Sequence, residues 1–411
     1  MTDKCKYFLE KLFKKNFLCY FCSRNTIKMK IFYIYTALTT KGGADRVVTE
    51  KANWLAEHGH EVAIVSDSQM GRELAFPLSP QVRLIDLAID FGKEYGHVFI
   101  VRSIIYLKLM RVFRELLAKL LISERPDIVV TTLGREISFL TKIKDGSKKV
   151  GEAHTIKQNI RNFHLLEQKN LLFRIMTKYF RWKMDRQVSN LDALVVLTEQ
   201  QISHWPQSIP VYAIPNALPF YPDVVSTCEN HRAIIVGRYT EAKGYDYMIE
   251  AWRIVHQKHP DWTIHTFAMG EDEEQVRAKI QSYGLQDTII MNPPTDNIME
   301  KYLNSSICVV SSVFEGFSMV LIEAMACGLP CVSFDCPYGP RKIIKDGEDG
   351  YLIEYLNTQA LADGICNLIE DKELRKSMGR KGRENVLRFS REKVMQQWVD
   401  LFESLTNRKE S

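Results

Sequence analysis

Short apolar runs alternate along the chain with longer stretches in which apolar positions recur at helical spacing. This rhythm predicts strands followed by helices, repeated in two halves. In the first half, strands are predicted at Ile31 to Thr36, Glu61 to Ser66, Asp127 to Thr131 and Leu191 to Leu197, and Val150 to His154 is predicted as a strand running into a loop. In the second half they are predicted at Ala233 to Val236, Thr263 to Met269, Thr288 to Asn292, Ile307 to Ser311 and Cys331 to Asp335. Helices are predicted from after Arg46 through Leu55, from Phe99 to Ile122, from Ser318 to Ala326, and from Asp371 to the end. Alternation of this kind gives an α/β fold of two doubly wound domains, which bind ligands at the carboxyl ends of their strands.

Turn residues divide the chain. Pro215 and Pro219 bracket Asn216, which fits a rigid connection between domains. The expected division is an N-terminal extension at 1–28, a first domain at 29–213, a linker at 214–230, a second domain at 231–388, and a closing helix at 389–411. Met29 opens the first predicted strand and could itself be the natural start.

Charge changes the picture. The 411 residues carry a net +5, but residues 1–210 hold 33 Lys and Arg against 21 Asp and Glu, a net +12, and the remainder is acidic at −7. The helix from Phe99 to Ile122 interleaves Arg102, Lys108, Arg111, Arg114 and Lys119 with apolar residues, and residues 157–186 repeat the pattern. Such helices can lie on an anionic membrane surface. They also read as ordinary surface helices, apolar inward and basic outward. No stretch is long and apolar enough to predict a membrane span. Nucleic acid is not an expected partner, since no recognition motif accompanies the charge. Nine scattered Cys, several in apolar runs, fit buried thiols of a reduced compartment. Cys19 and Cys22 form a lone CxxC without a second pair, so no metal site is expected.

The chemistry concentrates around Glu315-Gly316-Phe317-Ser318-Met319, a tight turn between a strand and a helix with Ser318 at the N-cap position. Free N–H groups at a helix start favour an anion such as a phosphate. Glu323 interrupts the apolar helix eight positions after Glu315, where an unpartnered carboxylate would be costly to bury. Two carboxylates beside an anion site suit a ligand with phosphates and several hydroxyls. Arg238 and Lys243 follow a strand on one turn, spaced to grip two phosphates. Gly42 and Gly43 sit between a strand and a helix, where backbone can approach a ligand closely. That loop has neither the dinucleotide fingerprint nor a P-loop Lys-Ser/Thr.

The span from Glu315 to Glu323 resembles the paired-glutamate motif of the retaining glycosyltransferases of family 4, and the resemblance runs from about Met29 to about Leu405. It implies the GT-B fold of two Rossmann-like domains facing across a cleft, with the last helix, bearing Trp398 and Phe402, packed back on the first domain. It further implies that Arg238 and Lys243 clamp the donor diphosphate, aided by Gly43, Gly316, Phe317, Ser318 and Met319. Glu323 would accept the ribose hydroxyls and Glu315 would hold the sugar. His154 would stand at the mouth of the cleft, near the sugar's C6 hydroxyl, with a core histidine as the lesser reading. Gly42 and Asp45 would lie beside the acceptor. The loops at Cys336 to Arg341 and Asp346 to Leu352 resemble the branch that builds bacterial surface polysaccharides from UDP-sugars. Ser318 and Asp45 depart from the more frequent Gly and Glu, and Ala217 from a frequent Gly.

The resemblance therefore implies retaining transfer of a hexose or N-acetylhexosamine from a nucleoside-diphosphate sugar, without a metal or other cofactor. The acceptor would be a glycan or a polyprenyl-diphosphate-linked oligosaccharide. The expected location is the cytoplasm, peripheral on the inner face of the membrane. A UDP-sugar epimerase and a silent subunit of a polysaccharide-assembly complex are the alternatives.

Overall fold

The structure is a computed structural model and describes residues 28–94, 96–157, 160 and 171–406. The extension expected at 1–28, with Cys19 and Cys22, lies outside the described residues apart from its last position, as do Arg161 and Lys169 of the basic run.

Thirteen strands are described: β1 (Lys30–Tyr35), β2 (Glu61–Ser66), β3 (Arg83–Asp86), β4 (Ile128–Thr131), β5 (Lys148–Glu152), β6 (Ala193–Val196), β7 (Val211–Ala213), β8 (Arg232–Val236), β9 (Thr263–Phe267), β10 (Ile289–Asn292), β11 (Ile307–Val310), β12 (Cys331–Phe334) and β13 (Gly350–Ile353). They form a seven-stranded sheet in the order β3-β2-β1-β4-β5-β6-β7 and a six-stranded sheet in the order β10-β9-β8-β11-β12-β13. Every pairing is parallel. Parallel strands covered by helices on both faces read as continuous apolar runs, which is why β4, β6 and β11 are buried along their whole length.

Strand order reverses between β1 and β4 in one sheet and between β8 and β11 in the other. Loops leaving the carboxyl ends at such a switch point diverge and leave a crevice. Four loops therefore frame the space between the sheets: those after β1, β4, β8 and β11.

The helices that position the site are α1 (Gly43–Glu57), α2 (Phe99–Glu124), α3 (Leu171–Val188), α4 (Tyr245–Lys258), α5 (Ile298–Leu303), α6 (Met319–Ala326) and α7 (Arg391–Thr406). Trp398 and Phe402 of α7 are fully buried against Ile31, Val48 and Leu55 of the first domain. The segment just before α7 belongs to the other side, since Val386 and Phe389 pack with Leu321 and Ile322 of the second domain. The chain thus crosses between domains twice, once near Asn216 to Leu218 and once near Ser390. The two crossings touch, with the Leu218 N–H donating to the Phe389 carbonyl at 2.8 Å.

Two readings need correction. The stretch from Asp346 to Leu352 is not loop throughout, because Gly350 to Ile353 pairs with β12 as an edge strand. And α2 is not simply apolar inward and basic outward. Ile100, Ile104 and Leu107 are exposed along its first turns beside Lys108 and Arg111. Its inward face, with Phe113, Leu117 and Leu121, is buried as expected, so these exposed apolar residues stand outside the domain's core. Among the described residues, no helix is long and apolar enough to cross a membrane.

Candidate active site

The loop after β11 carries Glu315. Its backbone forms a bridge with Tyr338, and its Oε1 accepts from Lys243 Nζ at 2.7 Å and from Ser312 Oγ at 2.7 Å. Lys243 closes a 3-10 turn after β8 and is followed by Gly244, whose φ of +62° ends that turn. A Cβ at Gly244 would stand 2.1 Å from the Ser311 carbonyl, so only glycine lets the two loops meet here. The Lys243 ammonium has three donors, and one is spent on Glu315. Arg238, on the same loop, is exposed and makes no hydrogen bond or ion pair among the described residues. The structure therefore brings Lys243 and Glu315 together and leaves Arg238 at the rim.

Ser318 occupies the N-cap position of α6 with extended backbone, but its hydroxyl makes no capping bond. That Oγ is buried and without a partner among the described residues. No hydrogen bond from the N–H of Phe317 or Ser318 is found among those residues either. A helix start with free N–H groups and a free hydroxyl can take an anion. Phe317 is buried edge-on against Phe389 at 5.3 Å, which ties this turn to the second crossing. Met319 is half-buried at the first position of the helix.

Glu323 lies one turn deeper and is 7% exposed. Its Oε1 meets Arg46 Nη1 of α1 at 3.2 Å, and its Oε2 accepts from Tyr302 Oη of α5 at 3.1 Å. Burial pushes its carboxyl up to about 7, against the pull of Arg46 and Tyr302. Arg46 carried no role in the sequence reading, because its partner stands 277 positions away.

On the first-domain side, Gly42 is the N-cap of α1 and Gly43 faces open space, with nothing near a Cβ built there. Asp45 is buried. Its Oδ1 accepts from Tyr35 Oη at 2.7 Å and its Oδ2 from the Thr40 N–H at 2.8 Å, so it shapes the glycine loop. His154 follows β5 and is half-buried by its side chain, with Nε2 lacking a hydrogen bond and 3.6 Å from Glu152 Oε1. Burial holds its pKa below the ordinary value, so the imidazole is neutral at pH 7. Glu152 itself is pushed up by burial, but Lys51 draws it below the usual carboxylate range, and the two form a buried ion pair.

A cavity of about 840 Å³ runs along this wall, lined by Thr39, Asp45, Arg72, Asp90, Arg135 and His154. A second of about 650 Å³ shares Arg135 and His154 with it and reaches Arg102 and Tyr106 of α2. The Glu315 turn meets the wall directly, since a Cβ at Gly316 would lie 3.3 Å from Thr155 Cα and 3.4 Å from the His154 carbonyl. Gln201 Nε2 also donates to the Gly316 carbonyl at 3.0 Å. The elements so assembled are a helix start with free N–H groups, two carboxylates and a lysine on the second domain, facing a wall of the first domain that carries a neutral imidazole. Among the described residues, no group of three or more His, Cys, Asp or Glu is placed to hold a metal ion.

Comparison with known proteins gives two family matches. Residues 41–220 match the family described as Glycosyltransferase Family 4, and residues 227–385 the family described as Glycosyl transferases group 1. An uncharacterized glycosyltransferase of Haemophilus influenzae is 27% identical over 90% of this chain and 98% of its own length. The amylovoran biosynthesis glycosyltransferase AmsD of Erwinia amylovora is 26% identical over 90% of this chain and 99% of its own. Among solved structures, Staphylococcus aureus TarM in complex with fondaparinux, α-GlcNAc-glycerol and UDP superposes with a TM-score of 0.75 at 17% identity, covering 91% of this chain and all of that one.

Proposed function

The chain belongs to the glycosyltransferases of family 4, with the two-domain GT-B fold and relatives in surface-polysaccharide synthesis, and from that premise we propose that it transfers a hexose or N-acetylhexosamine, with retention, from a UDP-sugar. The observation that carries this reading is the contact at Gly316, which sets the Glu315 turn of one domain against His154 and Thr155 of the other. The relative crystallised with UDP supports the choice of nucleotide.

In this reading the diphosphate lies against the N–H groups of Phe317 and Ser318, with Lys243 and Arg238 as counter-charges. As the bond from the anomeric carbon to the phosphate oxygen breaks, its electron pair stays on that oxygen. Lys243 and Arg238 neutralise the charge that develops there, a contribution often worth several kcal/mol. The acceptor hydroxyl attacks from the same face and gives its proton to the departing β-phosphate oxygen. Glu315, held by Lys243 and Ser312, binds sugar hydroxyls. The neutral His154 imidazole offers a hydrogen bond to the sugar, near its C6 hydroxyl. Two cations at the diphosphate make a metal ion unnecessary for charge. The acceptor, a glycan or a lipid-linked oligosaccharide, lies in the first-domain cavity.

The exposed Ile100, Ile104 and Leu107 of α2 and Tyr179 and Trp182 of α3, set among Lys and Arg, support peripheral contact with an anionic membrane. Flotation with anionic and neutral liposomes tests this; equal recovery removes it.

A panel of UDP- and GDP-sugars, followed by nucleotide release with and without acceptor and by the anomeric configuration of the product, tests the whole. Release that depends on an acceptor and preserves configuration is expected. Epimerised sugar released without acceptor would overturn transfer, and failure to bind any nucleotide would overturn the site.

A further inference from the structure

We propose that Arg46 is a positioning residue for the nucleotide, holding the Glu323 carboxylate of the opposite domain in the orientation that accepts the ribose hydroxyls. This rests on the transferase reading above together with the ribose contact that the family resemblance implies for Glu323; Arg46 has no part in either.

Arg46 stands in the first turn of α1, directly after the glycine loop. Its Nε is fixed by Glu50 at 2.8 Å, one turn on. Its guanidinium faces the rings of Phe76 at 5.9 Å and Phe220 at 5.7 Å, the latter from the first crossing between domains. Held on these sides, the group extends Nη1 to Glu323. An arginine suits this task because its planar fork sends one donor along its own helix and another across the crevice. At the other end of the glycine loop, Lys41 pairs with Asp296 of the second domain, but that pair is exposed and weak. Arg46 is the deep attachment.

An ionised carboxylate has about four acceptor positions. Arg46 takes one on Oε1 and Tyr302 one on Oε2, which leaves two, the number that a pair of neighbouring hydroxyls requires. A protonated carboxyl would turn one of these into a donor. The groups facing Glu323 are Arg46 and Glu50 on α1, Tyr302 on α5 and Cys327 at the C-cap of its own helix, with Cys308 of β11 beside Tyr302. Burial opposes the charge most strongly, Glu50 adds to that opposition, and Arg46 is the chief influence in its favour. Taking Arg46 away would both release the carboxylate and push its pKa further up, which favours the protonated form at neutral pH.

The test measures binding of UDP and of 2′,3′-dideoxy-UDP by calorimetry, from pH 6 to 9, for the full chain and its R46A and R46K variants, with thermal unfolding of each. At pH 7, R46A is expected to bind UDP about tenfold more weakly or worse, as for a lost charge-assisted hydrogen bond. The deficit should shrink toward pH 9, R46K should recover part of it, and dideoxy-UDP should bind all three proteins within about twofold, the pattern of a coupled pair in a double-mutant cycle. An equal deficit for both nucleotides, a deficit independent of pH, or unchanged UDP binding by R46A overturns the proposal while the transferase reading stands. Failure of the unaltered protein to bind UDP removes both.

Discussion

Arg46 and Glu323, on different domains, meet at 3.2 Å over a carboxylate that is otherwise enclosed by the second domain. The enclosure has a thermodynamic sign. Glu323 has its pKa raised to about 7 by burial, against Arg46 and Tyr302, from an ordinary value of 4.5. The folded protein therefore binds the proton more tightly than the unfolded chain does. The contribution of this carboxyl to stability falls as pH rises from about 4.5 to 7 and is level above that.

Glu323→Gln should remove this penalty. The variant is expected to unfold at a higher temperature than the parent at pH 8, by a gain on the order of 1–3 kcal/mol, and at the same temperature near pH 4.5. Thermal scans across that range check it, and UDP binding should weaken in the same variant.

Lys243→Ala should lower turnover about a hundredfold or more with the fold retained, as expected for loss of a counter-charge at a leaving group. Nucleotide release measured beside circular dichroism checks this. Unchanged turnover would remove Lys243 from the clamp.

Gly316→Val should separate the Glu315 turn from the Thr155 backbone, because even a Cβ would sit 3.3 Å away. The expected result is a loss of transfer of at least about tenfold, from misplacement of the reacting groups, while nucleotide binding to the second domain is largely kept. A variant that loses both equally would argue that the turn serves the nucleotide alone.

Lys51→Ala should leave Glu152 buried without its partner. Breaking a buried pair on one side costs roughly 3–5 kcal/mol. Denaturant unfolding should show this loss. Lys51 also lies 4.1 Å over the Trp398 ring, so the seat of α7 should loosen with it.

Central strands were legible because a strand covered on both faces must be apolar throughout, and Ile307–Val310 or Ala193–Val196 admit no other reading. The edges were not. Arg83–Asp86 carries charge at both ends, and Gly350–Ile353 is short, begins with glycine and is only half-buried beyond it, so neither announces a strand. At the site, residues leaving strand ends could be found from their spacing. What they touch could not. The pairing of Lys243 with Glu315 depends on two crossovers meeting, and the reach of Arg46 to Glu323 on the docking of whole domains. The resemblance set Asp45 beside an acceptor; that the Tyr35 hydroxyl, ten residues earlier, donates to one of its oxygens could not be read from spacing.

The hydrogen bond between Leu218 and Phe389 joins the two passages of chain between the lobes. A door hung on paired pins can swing but cannot slide, and these lobes are hung in that way. Any opening of the lobes should therefore be steered toward rotation about one line, which would carry Glu323 away from Arg46 and return it along the same arc. A single proteolytic nick at either passage would leave the other still holding, so the halves should travel together after cleavage.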